Sequence, residues 1–340
     1  MLKIKRENLQ NLYEKLATKV DLFAPIKSAN EVNYAKYTSG AEVSIDTLKT
    51  VKSPKNYFFP MAEDMMGFKM DKAGIKIIDV REEVKPFIVF GVRACDLKSF
   101  EILDKVFLAE PVDTYYKARR DAGIIITHAC NRPVESCFCS VFKIDASAPK
   151  GDITMHTDKS YAYFTVNTPK GQSVIDLVKD LFETCDEKAV QEIKENIKSV
   201  LDKLPYKNLN LENFTEENLN KLFNSDKWQG LSEACLGCGT CTFVCPTCQC
   251  FDIRDHKTKD GFMRFRCWDS CMYSDFTLMA HGNNRTTQLQ RYRQRFMHKL
   301  VYYPSQYDGT KSCVGCGRCV DKCPQNLNII KVILALGEEK

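Results

Sequence analysis

Short apolar runs alternate with amphipathic helical patterns along the first half of the chain. The first helical pattern places on one face Leu9, Leu12, Tyr13, Leu16 and Val20. Residues 86–92 (PFIVFGV) and 123–129 (GIIITHA) are continuous apolar runs, typical of strands buried on both faces. Residues 96–108 between them have helical spacing, with Asp96 as the expected N-terminal cap. This order predicts an α/β unit whose two strands are parallel neighbours.

The pattern continues with a hairpin and two helices before it fades. Strands are predicted at 152–157 and 161–168, joined at the sequence DKS, and two helices over about 172–204. The following stretch, LPYKNLNLENFTEENLNKLF, is polar and rich in Asn. We therefore expect a boundary near residue 225, with an α/β domain over 1–225 and a second domain over 226–340. The expected fold class is α+β.

Cysteine is unusually frequent, with 17 residues in a chain of 340. Disulfide scaffolds are typical of short secreted chains that lack a core, whereas this chain is 44% hydrophobic. Its N-terminus is charged rather than built around an apolar leader, and no run approaches the roughly 18 apolar residues of a membrane span. We therefore expect a soluble, cytoplasmic protein in which cysteines bind metal.

Two cysteine runs identify the metal chemistry. The first contains Cys235, Cys238, Cys241 and Cys245, followed by proline. The second repeats that spacing with Cys313, Cys316, Cys319 and Cys323. C-x2-C-x2-C-x3-C-P is the ligation run of bacterial ferredoxins with two clusters, and it predicts two [4Fe-4S] clusters in a helical, expanded dicluster ferredoxin domain. Zinc sites pair C-x2-C knuckles instead, which this repeated pattern does not favour.

The fourth cysteine of each run in such ferredoxins binds the other cluster. The first cluster is therefore expected on Cys235, Cys238, Cys241 and Cys323. The second is expected on Cys313, Cys316, Cys319 and Cys245. Glycines at 237, 239, 315 and 317 suit tight loops whose N–H groups point at cluster sulfurs. The formal charge of +5 is weak evidence for a nucleic-acid partner, because each oxidised cluster with its thiolates adds about −2.

The 67 or so residues between the two runs carry further chemistry whose role is open. Four more cysteines lie in or beside this insertion: Cys248, Cys250, Cys267 and Cys271. They either bind a further cluster or lie as buried thiols, since their spacing matches no standard run. A helix over 287–300 has the apolar stripe Leu289, Tyr292, Phe296 and Leu300. One interpretation is that Arg291, Arg295 and Lys299 form a solvated basic face over this stripe. The alternative is that basic residues here neutralise cluster charge or dock an acidic partner; these are Arg285, Arg291, Arg293, Arg295 and His298.

Four cysteines in the first half lie close to the expected strand ends: Cys95, Cys130, Cys137 and Cys139. Because carboxyl ends of parallel strands meet at one edge, Cys95 and Cys130 are expected together, with the C-x-C pair on the following loop. A third cluster is one interpretation and buried structural thiols are the other. A nucleophilic Cys95 is less favoured, because only His128 is a candidate base. No catalytic residue is assigned.

With these motifs, the chain resembles the iron–sulfur protein family that includes the β subunit of soluble [NiFe] hydrogenases (sulfhydrogenases) and the iron–sulfur subunit of anaerobic sulfite reductase. The resemblance covers nearly the whole chain and rests on an ordered set of segments: SPKNYFFP, FGVRACDLKSFEILDKVFL, YYKARR, CFCS, CLGCGTCTFVCPTCQC, WDSCM, HGNNR, RYRQRFMHKL and CVGCGRCVDKCP. One departure is the loop after CFCS, which reads VFKID where the family commonly has Met-Gly.

The resemblance implies an electron conduit between a flavin subunit that handles NAD(P)H and a terminal catalytic subunit of hydrogenase or sulfite-reductase type. It implies the two ferredoxin clusters and strengthens the third site on Cys95, Cys130, Cys137 and Cys139. It also places Cys248, Cys250 and Cys271 in the family pattern, whereas Cys267 is less general. The sequence has no G-x-G-x-x-G or Walker loop, so substrate conversion is expected on another chain.

Two alternatives belong to other functional classes. One is a self-contained oxidoreductase that binds flavin or a small substrate at the Cys95 loop. The less favoured one is a zinc-type module that holds nucleic acid through the basic helix. Iron content separates the zinc-type module from the other two interpretations.

Overall fold

The computed structural model describes residues 1–81 and 83–338 and shows a mixed α/β protein, as the sequence predicts. Its strands are β1 (Leu2–Lys5), β2 (Asp21–Ser28), β3 (Glu31–Lys36), β4 (Ala62–Asp71), β5 (Gly74–Asp79), β6 (Phe87–Val92), β7 (Gly123–His128), β8 (Ile153–Thr157), β9 (Tyr161–Val166), β10 (Glu183–Thr184), β11 (Phe251–Thr258), β12 (Gly261–Trp268), β13 (Leu278–Met279) and β14 (Gly282–Asn283).

The helices connect and flank these strands. The α-helices are α1 (Leu9–Ala17), α2 (Ala94–Phe107), α3 (Thr114–Ala122), α4 (Pro169–Asp176), α5 (Lys188–Leu201), α6 (Leu219–Phe223), α7 (Lys227–Ser232), α8 (Thr240–Phe243), α9 (Gln288–Met297), α10 (Tyr303–Gln306), α11 (Arg318–Asp321) and α12 (Ile329–Gly337). Short 3-10 helices cover Arg6–Asn8, Pro54–Tyr57, Cys139–Phe142, Lys179–Leu181 and Asp275–Thr277. A π-helical turn, His298–Tyr302, joins α9 to α10.

The larger sheet has eight strands in the order β10-β1-β9-β8-β7-β6-β2-β3. Its centre is parallel, since β6 pairs with β2 and β7, and β7 pairs with β8. Every residue of β6 and β7 is buried, which explains their continuous apolar sequences. The predicted parallel neighbours and the antiparallel β8–β9 hairpin are both confirmed.

The helices that flank this sheet follow the predicted apolar pattern. Helix α1 buries Leu9, Leu12, Tyr13 and Leu16 in the main hydrophobic core, and Val20 packs there from beyond the helix end. Helix α2 begins directly after β6, but Arg93 rather than Asp96 occupies its N-cap. The expectation for Asp96 is therefore wrong: its carboxylate lies in the first turn and accepts hydrogen bonds from Arg318. Helices α4 and α5 confirm the two helices predicted after the hairpin.

A second sheet joins the two halves of the sequence. Its order is β11-β12-β4-β5, and β12 pairs antiparallel with β4 from Gly261↔Lys69 to Cys267↔Ala62. The buried Arg266 side chain on β12 binds Glu63 on β4 (Nε to Oε1, 3.0 Å) and also Asp113. This sheet leaves no local signal in the sequence, because its strands are largely exposed and its two hairpins are separated by nearly 200 residues in the chain.

The C-terminal part packs short helices around two cysteine loops. Helices α7, α9 and α12 bury a core that contains Trp228, Tyr292, Phe296 and Ile333. Each cysteine run extends through a short helix, α8 or α11, and into the loops on either side of it, and several of its cysteines pack against this core. No helix in the described part of the chain is long and apolar enough to cross a membrane.

Candidate metal centres

The first site is a small cavity at the N-terminal end of α8. Four thiols line it together: Cys235, Cys238, Cys241 and Cys323. Gly239 immediately before α8 has a φ of +71°, which turns the loop back toward the cavity. The structure therefore brings together three cysteines of the first run and the fourth cysteine of the second, the set that crossed ligation predicts. Ligation itself stays a prediction.

The second site is equivalent and lies beside the first. Cys245 from the first run lies close enough to Cys313 and Cys316 for their charges to interact, and Cys319 belongs to the same group. Gly317 at the start of α11 has a φ of +76°, close to that of its counterpart Gly239. This arrangement again follows the crossed pattern predicted from the sequence.

The third site lies at the carboxyl edge of the parallel strands. Cys95, Cys130, Cys137 and Cys139 line one cavity, together with Arg93 and Cys316. Cys95 stands in the first turn of α2, directly after β6, and Cys130 follows β7. Parallel pairing of β6 and β7 therefore places these two thiols side by side, while the loop before Cys139–Phe142 supplies the other two.

The three sites adjoin one another, because α8 packs on α11 and Cys316 lines the cavity of the third site. Cys241 of the first site interacts with Cys319 of the second. Cys316 of the second interacts with both Cys95 and Cys139 of the third. The backbone N–H of Phe138 donates to the carbonyl of Gly315 (2.9 Å), so the second and third loops share a main-chain hydrogen bond. The sites form a row in the order first, second, third.

Burial makes the thiols costly to ionise without metal. It raises the pKa of Cys241 to about 11 and those of Cys139 and Cys316 to about 12. Metal coordination deprotonates a thiol and offsets the charge of the resulting thiolate. Four converging thiols, most of them buried or half-buried, therefore fit a metal cluster.

Buried cations lie next to these thiols. Arg295 and Lys299 are only 2% and 3% exposed, so the interpretation of a solvated basic face is wrong for these two residues. Arg295 donates from Nη2 to the carbonyl of Cys241 (3.2 Å). Burial lowers the pKa of Lys299, but the charges of Cys245 and Cys248 outweigh burial and raise it overall. Both side chains remain positive beside the cysteine groups, which favours the charge-neutralising interpretation.

The remaining basic residues of this segment bind other protein groups, and one of these, Gln288, donates from Nε2 to the sulfur of Cys235 (3.4 Å). The Arg291 guanidinium donates to the side-chain oxygen of Gln288 and to the carbonyl of Arg285 (Nη1, 2.9 Å). Arg293 lies over the ring of Phe223 at 3.6 Å from its centroid. His298 is largely buried, which lowers its pKa to about 4.

Lys55 is a cation that sequence analysis missed. It comes from the segment SPKNYFFP, is 2% exposed and donates to the carbonyls of Cys248 (2.7 Å) and Cys245 (3.2 Å). Its Nζ lies 3.7 Å from the ring centroid of Trp268. Burial lowers the pKa of Lys55 to about 8. The segment SPKNYFFP was noted in the sequence as a family motif, but only the fold shows that its lysine reaches the cysteines.

The four cysteines of the insertion separate into two groups. Cys248, Cys250 and Cys271 lie together beside the first two sites. Cys267 stands on β12 opposite Asp252, where its charged neighbours are Arg254, Asp252 and Asp269. The geometry therefore separates Cys267 from the other three, and whether any of the four binds iron stays a prediction.

His128 does not serve Cys95 as a base. Its Nε2 pairs with the Thr157 hydroxyl (2.9 Å), and burial holds the pKa of the imidazole well below its usual range. The geometry thus gives no support to a nucleophilic Cys95, in agreement with the sequence-based preference.

Comparison with known proteins agrees with this arrangement. Residues 234–327 match the family model described as "4Fe-4S dicluster domain". The chain is 32% identical over 334 residues to sulfhydrogenase 2 subunit beta of Pyrococcus furiosus, covering 98% of this chain and 97% of that protein. The chain belongs to the sulfhydrogenase β-subunit family of iron–sulfur proteins. No solved structure matches it.

Membership of this family accounts for both parts of the molecule. The match to the dicluster model covers the first two sites, and the relative extends over the third site as well. The family resemblance inferred from the ordered motifs is therefore confirmed. The sulfhydrogenase β-type chain is an iron–sulfur protein in which twelve of the cysteines form three adjoining groups.

Proposed function

We propose that the chain is an electron-transfer subunit of a hydrogenase-type oxidoreductase complex and that it carries three [4Fe-4S] clusters in a row. The observation that carries the proposal is that the second site adjoins both others: Cys316 lines the cavity of the third site beside Cys95, and α11, which carries Cys319, packs against α8, which carries Cys241. Iron–sulfur cubes change by one electron, so adjoining cubes form a relay.

The assignment of ligands follows the geometry. The first cluster is held by Cys235, Cys238, Cys241 and Cys323, and the second by Cys313, Cys316, Cys319 and Cys245. The third is held by Cys95, Cys130, Cys137 and Cys139. Each bound cluster supplies one-electron redox chemistry. The chain's own residues fix the relative placement of the clusters and put a buried cation beside each: Arg295 beside the first, Lys299 beside the second and Arg93 beside the third.

The two ends of the row approach the surface at different places. Cys238 of the first site is exposed, and Val134, in the loop before Cys137, is 42% exposed. Electrons can therefore enter at one end and leave at the other. In this proposal a flavin subunit that oxidises NAD(P)H contacts one end, and a terminal catalytic subunit contacts the other.

The terminal partner of hydrogenase type is preferred to one of sulfite-reductase type, because the matched relative is a sulfhydrogenase subunit. The proposal places substrate conversion on the partner chains and the complex in the cytoplasm. It also divides the chain into an α/β domain over 1–225 and an expanded dicluster domain over 226–340, with β12 of the second domain paired to β4 of the first.

The decisive experiment is anaerobic purification of the complex, followed by iron, sulfide and zinc analysis and EPR of the reduced chain. We expect at least about twelve iron atoms per chain, loss of about four in Cys95→Ser, and reduction by NAD(P)H only when the flavin subunit is present. A chain with zinc but no iron, or with its own flavin absorbance and NAD(P)H oxidation, would overturn the proposal.

A further inference from the structure

Helix α9 presents a row of hydrogen-bond donors to the first site. Gln288, Tyr292 and Arg295 are spaced by four and three residues, so they lie on one face of the helix. Tyr292 and Arg295 line the cavity of the first site, and Gln288 donates from Nε2 to the sulfur of Cys235 (3.4 Å). We propose that this face donates hydrogen bonds to the sulfurs of the first cluster and raises its reduction potential, with Tyr292 as the principal donor.

The hydroxyl of Tyr292 is buried without a hydrogen-bond partner among the described residues, and the side chain is 2% exposed. Edge-on contacts hold its ring against Trp228 (6.3 Å between centroids) and Phe296 (4.7 Å). A buried hydroxyl that lacks a partner is costly, and phenylalanine would fill this core position without that cost. Burial raises the pKa of Tyr292, so the hydroxyl keeps its proton. The wall of the first site therefore carries an unused donor.

Arg295 shows the same mismatch one turn further along the helix. Its Nη2 donates to the carbonyl of Cys241 (3.2 Å), but its buried Nε has no partner in the part of the chain that the structure describes. Within residues 1–81 and 83–338, Tyr292 and Arg295 are the residues with such an orphaned polar atom that line a cysteine cavity. Sulfurs of iron–sulfur clusters accept hydrogen bonds, so both groups fit a bound cluster.

Arg291 fixes the direction in which the Gln288 amide points. Its Nε and Nη2 donate to Oε1 of Gln288 (3.2 Å and 3.0 Å), while its Nη1 is anchored on the carbonyl of Arg285. Because a guanidinium can only donate, the amide oxygen faces Arg291 and the amide nitrogen faces Cys235. Gly237 permits this close approach, since a Cβ there would lie 3.0 Å from Oε1. Arg291 is thus a positioning residue and Gln288 a fixed donor.

The donors and the buried charge act on the first cluster in the same direction. Reduction adds one negative charge to the cluster and its thiolates, and groups that donate to sulfur stabilise that charge. Gln288, Tyr292 and Arg295 therefore favour the reduced state. Their removal should make the first cluster harder to reduce, whereas a purely structural role for the helix would leave its potential unchanged.

The test uses the full chain in its complex, purified anaerobically, and potentiometric EPR titration of the first cluster, identified as the signal that Cys238→Ser alters. We expect Tyr292→Phe to shift the reduction equilibrium roughly tenfold toward the oxidised state, a midpoint lower by about 59 mV. Gln288→Leu should shift it in the same direction. The matched control is Tyr116→Phe, because the buried Tyr116 hydroxyl already donates to Asp104 (2.7 Å). Its midpoint should equal that of the unaltered chain.

An unchanged midpoint in Tyr292→Phe, in a chain that keeps its iron, would overturn the inference. If Tyr292→Phe does not fold, Gln288→Leu decides, because an unchanged midpoint there contradicts the role of the helix face. The inference rests on the proposed function, but the two fail differently. Absence of the first cluster from the unaltered chain would overturn the proposed function, whereas a normal signal with an insensitive midpoint removes only the hydrogen bonds from α9.

Discussion

Arg318 and Asp96 form a buried ion pair that links the second cysteine run to the turn that carries Cys95. The guanidinium binds both carboxylate oxygens, at 2.6 Å and 2.8 Å, and the two side chains are 3% and 1% exposed. Arg318 lies next to Cys319 in sequence and Asp96 lies next to Cys95. A single bidentate contact therefore fixes the second site against the third.

Removing Arg318 should destabilise this junction strongly. In Arg318→Met the Asp96 carboxylate loses its buried partner, which typically costs about 3–5 kcal/mol. We expect a lower apparent melting temperature and faster loss of iron from both sites, measured at one fixed scan rate. The double variant Arg318→Met/Asp96→Asn should recover part of the loss, because it leaves no buried charge.

The control for this pair is Asp255→Asn, in the exposed ion pair with Arg264. Exposed pairs contribute about 0–1 kcal/mol, so its melting temperature should scarcely change. Equal effects of Arg318→Met and Asp255→Asn would contradict a structural role for the buried pair.

Gly315 is required by the contact between the second and third sites. It has a φ of +59°, and a Cβ there would lie 2.5 Å from the Phe138 carbonyl carbon and 2.6 Å from the Cys139 nitrogen. Gly315→Ala should therefore cost roughly 1–2 kcal/mol for backbone conformation and a further 1–3 kcal/mol for overpacking. Thermal unfolding and iron retention measure the effect.

Gly309→Ala separates these two costs. Gly309 has a φ of +71°, but no atom lies within 4 Å of its Cβ position. Gly309→Ala should therefore lower the stability only by the cost of the backbone conformation. If Gly315→Ala is no less stable than Gly309→Ala, the loop of Gly315 does not pack closely against Phe138 and Cys139.

Crossed ligation predicts which cluster each fourth cysteine serves. Cys323→Ser should perturb the EPR signal of the first cluster, because Cys323 lines the cavity of Cys235, Cys238 and Cys241. Cys245→Ser should perturb the signal of the second. Cys185→Ser, outside all of these groups, is the control. Loss from Cys323→Ser of only the cluster held by Cys313, Cys316 and Cys319 would show that each run serves its own cluster.

Lys299 should raise the reduction potential of the second cluster. Its buried positive charge interacts with Cys245 and Cys313, and a nearby cation favours the reduced, more negative state. Lys299→Met should lower the midpoint in potentiometric EPR titration, with about 59 mV for each tenfold change in the equilibrium. Lys322 is an exposed lysine beside Cys323. Lys322→Met should shift the midpoint of the cluster that Cys323 serves by less than Lys299→Met shifts that of the second cluster, because water and salt screen the charge of Lys322. A larger shift in Lys322→Met than in Lys299→Met would refute the effect assigned to the buried charge of Lys299.

The sequence predicted the features that local spacing determines. Strands β6 and β7 are continuous apolar runs, and the ferredoxin runs have a fixed ligand spacing, so both follow from short segments. The meeting of Cys95 and Cys130 followed from one rule about parallel strands. These residues lie close to the elements that position them.

The features that sequence analysis missed depend on contacts between distant segments. Lys55 reaches Cys248 across 193 residues, and β4 pairs with β12 across a similar distance. No local pattern distinguishes Lys55 from a surface lysine. Arg295 and Lys299 also looked like a solvated face, because helical spacing alone does not show that thiols cover the basic side.

The exposed end of the first site should be where a redox partner docks. Leu236, Tyr273 and Leu278 line one shallow depression beside Cys238, and Leu236 and Leu278 are 65% and 61% exposed. Electron transfer between proteins requires a cofactor near the contact surface, and exposed apolar groups favour association. We therefore expect Leu236→Glu to slow NAD(P)H-driven turnover of the complex while its cluster signals stay unchanged.

Two half-reactions then identify the partner at this end. If reduction of the chain by its flavin partner is slower, the electron donor docks at Leu236. If reoxidation by the terminal catalytic partner is slower, the acceptor docks there. Leu334→Glu, at a 48% exposed position on α12, is the matched control and should leave both rates unchanged. If Leu236→Glu changes neither rate, the first site is not at an interface, and electrons must enter and leave near the third site.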